Sequence, residues 1–507
     1  MWRQLFQLSS DSDVSLQRQL RKALAAAILD GRIPLDRPLP SSRELARQLG
    51  IARNTVVLSY QHLVENGYLL ARARCGYFVN PEMLLQGRRE ARRSPDAPAS
   101  IDWQSRLKSY PSRQRNIEKP TDWGSYRYPF IYGQPDPELF PTADWRECCR
   151  ELQSVAEVKS AALDRFDADD PLLVEQIQNR VLPRRGVWAD RDEILITLGA
   201  QHALYLLAEL LLDRSSRVGV EDPGYPDVRN IFSMRGAEVV PLAVDREGVL
   251  PARQMDRCDV AYVTPSHHVP STVTLPEHRR HELLERAARE DFLLLEDDYE
   301  SETNFIGEST PALKSLDHED RVIYVGGLSK TLAPGLRVGF MVAPKALIRE
   351  ARALRRLMVR HPPSNNQRIV ALFLSMGHHD SHVLRLNKVL RERWQLMSEA
   401  LSRHLPNSFH TPTFGGTSYW VGGDPALDSN SLGALARQHS LLLEPGGVYF
   451  ADPHGPRNFF RLGYSSIKTD RIEPVSYTHL TLPTTIPSCG SGWGGGTDKG
   501  GGGGGGG

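Results

Sequence analysis

Hydrophobic and polar positions follow two different periods along the chain, and the change of period separates two regions. Near the N-terminus the period is helical: Leu16, Leu20, Leu24 and Ile28 fall on one face of a helix predicted over residues 15–30. Farther along, short apolar runs alternate with helical patterns. The two periods predict domains of different architecture. The length of 507 residues favours about three domains.

Two short helical patterns follow the first helix and are separated by Gly50. Ser41 or Ser42 can cap the first of them. The second begins near Ile51 and is predicted to be the recognition helix of a helix-turn-helix. Its N-terminal end, where base edges are contacted, carries Arg53, Asn54 and Thr55.

Two short apolar runs that each begin with Gly-Tyr, 67–70 and 76–79, then predict a β-hairpin wing. Residues 1–80 hold eleven Lys and Arg against six Asp and Glu, a local charge of +5 in a chain whose net charge is +1. A basic module of this kind indicates a DNA-binding domain. The alternative is a small α/β subdomain with a solvated basic surface.

Beyond about Trp123, apolar strands alternate with helices, a pattern that predicts an α/β fold with a mostly parallel sheet covered by helices on both faces. In such sheets, ligands bind beyond the carboxyl ends of the strands. The predicted strands are Glu193–Thr197, Arg217–Glu221, Asp259–Thr264, Phe292–Leu295, Val322–Val325 and Leu336–Val342, with helical patterns at Ala203–Leu212 and Leu283–Ala288.

Residues suited to one kind of chemistry follow these strands. A lysine can hold an aldehyde cofactor covalently, a carboxylate can keep a pyridine nitrogen protonated, a tyrosine can bind the ring oxygen, and an arginine with free helix amides can bind a phosphate. Each residue alone also has an ordinary structural explanation, such as a surface lysine or an acidic helix cap. The residues in question are Gly199, Ala200, Gln201, Tyr225, Asp297, Tyr299, Lys330 and Arg337.

The segment LPSSRELARQLGIARNTVVLSYQHLVENGYLLARARCGYFV resembles the winged-helix domain of GntR-family regulators over its whole length. This resemblance implies a double-stranded DNA operator as partner. It also implies DNA contacts from the capped Ser-Arg pair, from the start of the recognition helix and from the glycine of the wing, which are Ser42, Arg43, Arg53, Asn54, Thr55 and Gly76.

Residues 123–474 resemble fold type I aminotransferases, with large and small domains, and the tandem order resembles the MocR-type (GabR-like) regulators. The matching motifs include GQPDPELFP from Gly133, EDPGY from Glu221, EDDY from Glu296, LSKTL from Leu328 and FRLG from Phe460. The resemblance implies pyridoxal 5′-phosphate as cofactor, an amine or amino-acid effector, and a head-to-tail homodimer.

Carried over position by position, the resemblance also implies roles. Lys330 would form an aldimine with the cofactor, with Asp297 at the pyridine nitrogen and Tyr299 at the ring oxygen. Tyr225 would stack on the ring, and Arg461 would bind the carboxylate of the effector. The residues implied near the phosphate are Ala200, Gln201, Ser329 and Arg337.

Four positions depart from the family pattern. Gly327 replaces a serine or threonine near the phosphate, Phe166 replaces a tyrosine of the partner-facing segment, Val269 replaces an asparagine near the ring oxygen, and Thr272 replaces a glycine. These departures favour a PLP-dependent transcription regulator that senses its ligand over an efficient transaminase. The alternative is an active aminotransferase with a residual DNA-binding domain.

The predicted domains are a winged helix at 1–80, a basic, proline-containing linker at 81–122 and the aminotransferase-like domain at 123–474. Residues 475–507 lack any period and end in polyglycine, so we interpret them as a non-native tail that truncates the domain. The five cysteines show no metal-binding spacing, and no metal site is expected. Neither a signal peptide nor a membrane-spanning run is evident, so we expect a cytoplasmic protein.

Overall fold

The computed structural model describes residues 2, 6, 8, 14–85, 101–306, 310–328, 330–406, 408–410 and 415–472. The chain divides into two compact units, Met1–Leu107 and Lys108–Gly507. The segment interpreted as a non-native tail lies outside the described residues.

The described residues of the first unit form three helices, a hairpin and two short helical turns. They are α1 (Leu16–Leu29), α2 (Ser42–Leu49), α3 (Arg53–Glu65), β1 (Leu69–Arg72), β2 (Gly76–Val79), α4 (Glu82–Leu85) and α5 (Trp103–Arg106). Ser41 caps α2 by accepting a hydrogen bond from the Glu44 amide at 3.2 Å, and Gly50 ends the helix with a φ of +70°.

The core of this unit is built from the predicted apolar face of α1 together with α3 and the hairpin. Leu20, Leu24 and Ile28 are fully buried in it, as is Tyr60 of α3. Strands β1 and β2 pair antiparallel, with Leu69 opposite Val79. The observed elements are those of a winged helix-turn-helix.

The second unit is an α/β domain followed by a smaller subdomain. Its helices are α6 (Thr142–Glu151), α7 (Val155–Ala161), α8 (Pro171–Gln176), α9 (Ala200–Leu211), α10 (Pro226–Met234), α11 (Glu277–Glu290), α12 (Lys345–Val359), α13 (Ser364–Ser375), α14 (His378–His404) and α15 (Ser429–Gln438). Its strands are β3 (Tyr128–Pro129), β4 (Ile194–Thr197), β5 (Arg217–Asp222), β6 (Glu238–Asp245), β7 (Gly248–Val249), β8 (Val260–Val263), β9 (Leu293–Asp298), β10 (Val322–Gly327), β11 (Gly339–Val342), β12 (Phe409–His410), β13 (Ser418–Gly422), β14 (Leu441–Leu442), β15 (Glu444–Pro445) and β16 (Phe459–Gly463).

The large sheet has the strand order β4-β11-β10-β9-β8-β5-β6-β7. Strands β10, β9, β8, β5 and β6 run parallel, and β11 runs antiparallel to both of its neighbours. Strand β6 was not predicted, because Pro241 interrupts the apolar run of Glu238–Asp245 and a proline weighs against a strand. It lies near the sheet edge, where a proline without an amide proton is tolerated.

The smaller subdomain is built on the antiparallel sheet β12-β13-β16-β15, against which the 27-residue helix α14 packs. Among the described residues, no helix is both long enough and apolar enough to span a membrane.

Candidate functional site

One cavity of about 170 Å³ collects the predicted cofactor and effector residues. Eight of the nine line its wall, and the ninth, Ser329, lies outside the described residues. Five come from loops and turns at the carboxyl ends of β4, β5, β9 and β10, where a sheet of this kind binds its ligand. The eight are Ala200, Gln201, Tyr225, Asp297, Tyr299, Lys330, Arg337 and Arg461.

Asp297 lies near the end of β9, and its carboxylate is buried. Oδ2 accepts a hydrogen bond from the Tyr262 hydroxyl at 2.8 Å. Burial raises the pKa of Asp297 to about 6, since a carboxylate is less stable away from water. A cation beside Oδ1 would stabilise the ionised form.

Lys330 follows β10, and its ammonium group is enclosed by the cavity. Nζ lies 3.6 Å from the ring centroid of Tyr132 and 5.8 Å from that of Tyr299. Burial lowers the pKa of Lys330 to about 7; the Glu300 carboxylate opposes this shift and the Lys119 ammonium adds to it. A large fraction of the amine is therefore neutral, and nucleophilic, near pH 7.

The opposite end of the cavity is suited to an anion. Gly199, with a φ of +84°, precedes the twelve-residue helix α9, so the first-turn amides of Ala200 and Gln201 lie at a helix N-terminus. A Cβ at Gly199 would lie 3.1 Å from an Arg337 nitrogen, which shows how closely the guanidinium approaches this turn. Arg337 Nη2 also donates to the Leu198 carbonyl at 2.8 Å.

Arg461, in the middle of β16, is fully buried. Its Nε donates to Ser418 Oγ at 2.8 Å and its Nη1 to the Tyr449 hydroxyl at 3.3 Å. Its Cζ lies 3.4 Å from the ring centroid of Tyr132. All three contacts are with neutral groups, which leaves the positive charge available for an anionic ligand.

Three buried polar atoms of the cavity have no hydrogen-bond partner within the described part of the chain: Asp297 Oδ1, the Tyr299 hydroxyl and Arg461 Nη2. Buried polar groups are nearly always paired, so unpartnered atoms around one cavity indicate a missing polar ligand. A carboxylate oxygen, a phenol and a guanidinium suit a protonated ring nitrogen, a ring oxygen and an acid group. The residues present therefore fit pyridoxal phosphate together with an acid-bearing ligand.

Behind Asp297, the neighbouring carboxylate of Asp298 belongs to a buried network. Its Oδ2 lies 2.8 Å from Arg185 Nε and accepts from the Tyr324 hydroxyl at 2.7 Å. Arg185 also donates to Ser266 Oγ and to the Thr310 carbonyl, both at 2.8 Å. This network connects β9, β10 and two loops beneath the cavity.

The predicted DNA-binding residues lie on the other unit, around the start of α3. Arg43, Arg53 and Asn54 are exposed, while Ser42 and Thr55 are half-buried. Arg53 Nε lies 3.4 Å from Ser42 Oγ. Gly76, with a φ of +103°, is exposed where the wing turns into β2.

Comparison with known proteins matches the unit that carries each site to a known family. Residues 16–79 match the bacterial regulatory proteins of the gntR family, and residues 150–475 match aminotransferase class I and II. The chain is 44% identical to the HTH-type transcriptional regulator TauR of Rhodobacter capsulatus over 463 residues, which cover 91% of this chain and 95% of the relative. It is 32% identical to the probable rhizopine catabolism regulatory protein MocR of Rhizobium meliloti, covering 78% and 79%.

The chain belongs to the MocR family of transcriptional regulators. As a MocR-family regulator it is a DNA-binding protein with an aminotransferase-like domain. Among solved structures, it is similar to the α-aminoadipate aminotransferase LysN of Thermus thermophilus, which was determined with N-(5′-phosphopyridoxyl)-L-leucine. That similarity has 27% identity and a TM-score of 0.67, and covers 74% of this chain and 96% of LysN.

Several cavity residues of this MocR-family regulator were not predicted. Tyr132 and Ile117 line the wall, and Glu444 and Lys119 surround the backbone of Tyr132. No local pattern marks them, because they come from segments far apart in sequence that meet only in the folded chain. Two positions where the sequence departs from the family, Val269 and Gly327, line the same wall, and a third, Thr272, is fully buried with a φ of +60°.

Ile117 and Lys119 belong to a connecting segment, residues 114–119, within the stretch predicted as linker. Asn230 Nδ2 donates to the Arg115 carbonyl at 2.9 Å, and Arg115 donates to the Phe450 carbonyl at 3.1 Å. The connecting segment is therefore held against both the large domain and the smaller subdomain.

Proposed function

We propose that this regulator binds pyridoxal 5′-phosphate in the cavity and senses an amine or amino acid there, changing how the winged helix binds operator DNA. The observation that carries the proposal is the convergence of Lys330, Asp297, Tyr299 and Arg461, with unpartnered atoms of the last three facing one cavity.

When bound, the cofactor supplies an electron-poor aldehyde carbon that exchanges one primary amine for another. Lys330 provides the resident amine, which its lowered pKa keeps partly neutral. Asp297 holds a proton on the ring nitrogen, and Tyr299 donates to the ring oxygen. Arg337 and the first turn of α9 bind the phosphate, and Tyr225 covers the ring. Arg461 binds the acid group of the effector as a buried guanidinium can.

The proposal extends to partners. From the family resemblance of the sequence we further propose a head-to-tail homodimer in the cytoplasm, whose two winged helices read two half-sites of one operator. The DNA contacts proposed for each winged helix are Ser42, Arg43, Arg53, Asn54, Thr55 and Gly76.

Replacing the lysine tests the proposal. We expect wild-type protein at pH 8, where Lys330 is largely neutral, to develop a visible absorbance band with pyridoxal phosphate and to change its DNA affinity when amines or amino acids are added. Lys330→Met should lose the band and the response, while binding its upstream DNA as the cofactor-free wild type does. A Lys330→Met protein with a full ligand response would contradict the mechanism.

An active aminotransferase is the second candidate, because the residues that such an enzyme needs line the cavity. Val269 and Gly327 favour the sensor, since neither side chain can hydrogen-bond the ring oxygen or the phosphate. Adding an amino acid with a 2-oxo acid acceptor distinguishes the two. Repeated conversion of the acceptor supports the enzyme, and a single stable spectral change supports the sensor.

A further inference from the structure

Tyr132 lies between the two groups that the proposed function assigns to the two ends of the effector. Its ring centroid is 3.6 Å from Lys330 Nζ and 3.4 Å from Arg461 Cζ. Because both distances share one centroid, Lys330 Nζ and Arg461 Cζ are at most 7.0 Å apart. The contact with the charged Arg461 guanidinium, which is buried away from water, is a strong cation–π interaction.

The tyrosine is itself held firmly. Its side chain is buried, and it meets the ring of Tyr299 edge-on, with 6.3 Å between centroids and an interplanar angle of 82°. Its amide donates to Glu444 Oε1 at 3.0 Å, and its carbonyl accepts from Lys119 Nζ. The backbone and the ring of Tyr132 are therefore both fixed relative to the cavity.

Glu444 also connects the backbone of Tyr132 to Arg461 through the Tyr449 hydroxyl. Glu444 Oε2 accepts from the Tyr449 hydroxyl at 3.2 Å, and that hydroxyl accepts from Arg461 Nη1 at 3.3 Å. Ser418 holds Nε of the guanidinium, and Tyr132 covers it. Of the guanidinium nitrogens, Nη2 alone has no partner within the described residues, and Arg461 lines the cavity.

We propose that Tyr132 is a positioning residue that makes the site selective for acid-bearing amines. By stacking on Arg461 it fixes the guanidinium with Nη2 free for the acid group of the effector, within reach of the amine end at Lys330. This inference rests on the proposed function. It adds the residue that sets the orientation of the acid-binding group and thereby its preference for acid-bearing amines over simple amines.

The test compares ligands that differ only at the acid end. β-Alanine and propylamine, or L-alanine and isopropylamine, are titrated into protein loaded with pyridoxal phosphate while the cofactor spectrum is followed. In Tyr132→Leu we expect the preference for the acid-bearing probe to fall about tenfold, because the stacking interaction is lost. Tyr132→Phe keeps the ring and should keep the wild-type preference.

A second arm needs no cofactor. Propionate, which carries the acid group alone, is titrated calorimetrically into cofactor-free protein, where Tyr132→Leu should bind about tenfold more weakly than wild type. Tyr110→Leu is the matched control, because Tyr110 also lies beside a guanidinium group, at 4.1 Å from Arg113, and is not among the residues that line the cavity. It should behave as wild type in both arms.

An equal loss of affinity for both members of a probe pair, unchanged affinities, or tighter propionate binding in Tyr132→Leu would each overturn the inference. If wild type binds propionate but no pyridoxal phosphate, the proposed function fails and the propionate arm still decides the role of Tyr132. If Tyr132→Leu does not fold, Tyr132→Met removes the ring with a side chain of similar length and serves in both arms.

Discussion

Gly327 shows how a single residue adjusts this cavity. It ends β10 and lines the wall near Lys330, at a position where the family resemblance implies a serine or threonine. A Cβ added to Gly327 would meet no atom within 4 Å, so packing does not require a glycine there. If the phosphate of the proposed cofactor lies here, the glycine leaves out one hydrogen bond to it without any steric reason.

Restoring the hydroxyl should strengthen cofactor binding. In Gly327→Ser we expect the affinity for pyridoxal phosphate to rise roughly tenfold, because one hydrogen bond to a charged phosphate is added. Titration of the visible band measures the change. Gly335→Ser is the control, since a Cβ there also meets nothing within 4 Å and Gly335 does not line the cavity. Unchanged or weaker binding by Gly327→Ser would show that the phosphate does not lie near this position.

At the scale of elements, strands β9 and β10 carry the site, and the buried Asp298–Arg185 network stabilises them. Arg185 and Asp298 are almost completely buried, so their charges depend on each other. Although burial opposes ionisation, Arg185 holds the pKa of Asp298 below its usual value. The Asp297 carboxylate, which we propose pairs with the cofactor, thus lies next to a carboxylate whose ionised form is stabilised by a buried ion pair.

Removing one partner of this pair should be costly. We expect Arg185→Met to lower the free energy of unfolding by about 3–5 kcal/mol, because a buried carboxylate loses its counter-charge. The neighbouring Arg184 provides the control: its side chain is 41% exposed and pairs with Asp380 at 2.7 Å near the surface. Arg184→Met should cost less than about 1 kcal/mol. Equal effects of the two substitutions in chemical denaturation would contradict the role of the network.

The elements also show what the sequence could and could not predict. Asp297 and Lys330 were predictable because β9 and β10 run parallel, so residues after each strand reach the same edge of the sheet. Tyr132 and Glu444 meet across 312 residues of sequence, and nothing in either local pattern indicates the other. Strand β6 was missed because of a misleading local signal. Pro241 weighs against a strand, but the sheet tolerates it there because β6 lies near the sheet edge.

At the scale of the whole molecule, a winged-helix module and an aminotransferase-like module share one chain. If the winged helix binds DNA and the cavity binds a small molecule, substitutions in the winged helix should leave ligand binding by the cavity intact. Substitutions in the cavity should likewise leave DNA binding in the absence of the small molecule intact. The coupling between them should appear only when both ligands are present.

A double variant of the winged helix tests whether the two modules are independent. Arg53→Ala combined with Asn54→Ala should weaken DNA binding at least tenfold, since base and phosphate contacts are lost, and should leave the visible cofactor band unchanged. Fluorescence anisotropy with upstream DNA and absorbance measure the two properties. Glu65→Ala, at the far end of the same helix, is the control. Loss of the cofactor band in the double variant would contradict independent modules.

The connecting segment has a consequence for how such proteins can be taken apart or recombined. Ile117 forms part of the ligand cavity and Lys119 binds the carbonyl of Tyr132, yet both precede the aminotransferase-like region in the chain. A fragment cut at residue 122 would lose a wall of its own pocket. Chimeras that exchange DNA-binding domains between relatives should therefore be joined before Gln114, because each cofactor domain requires its own connecting segment.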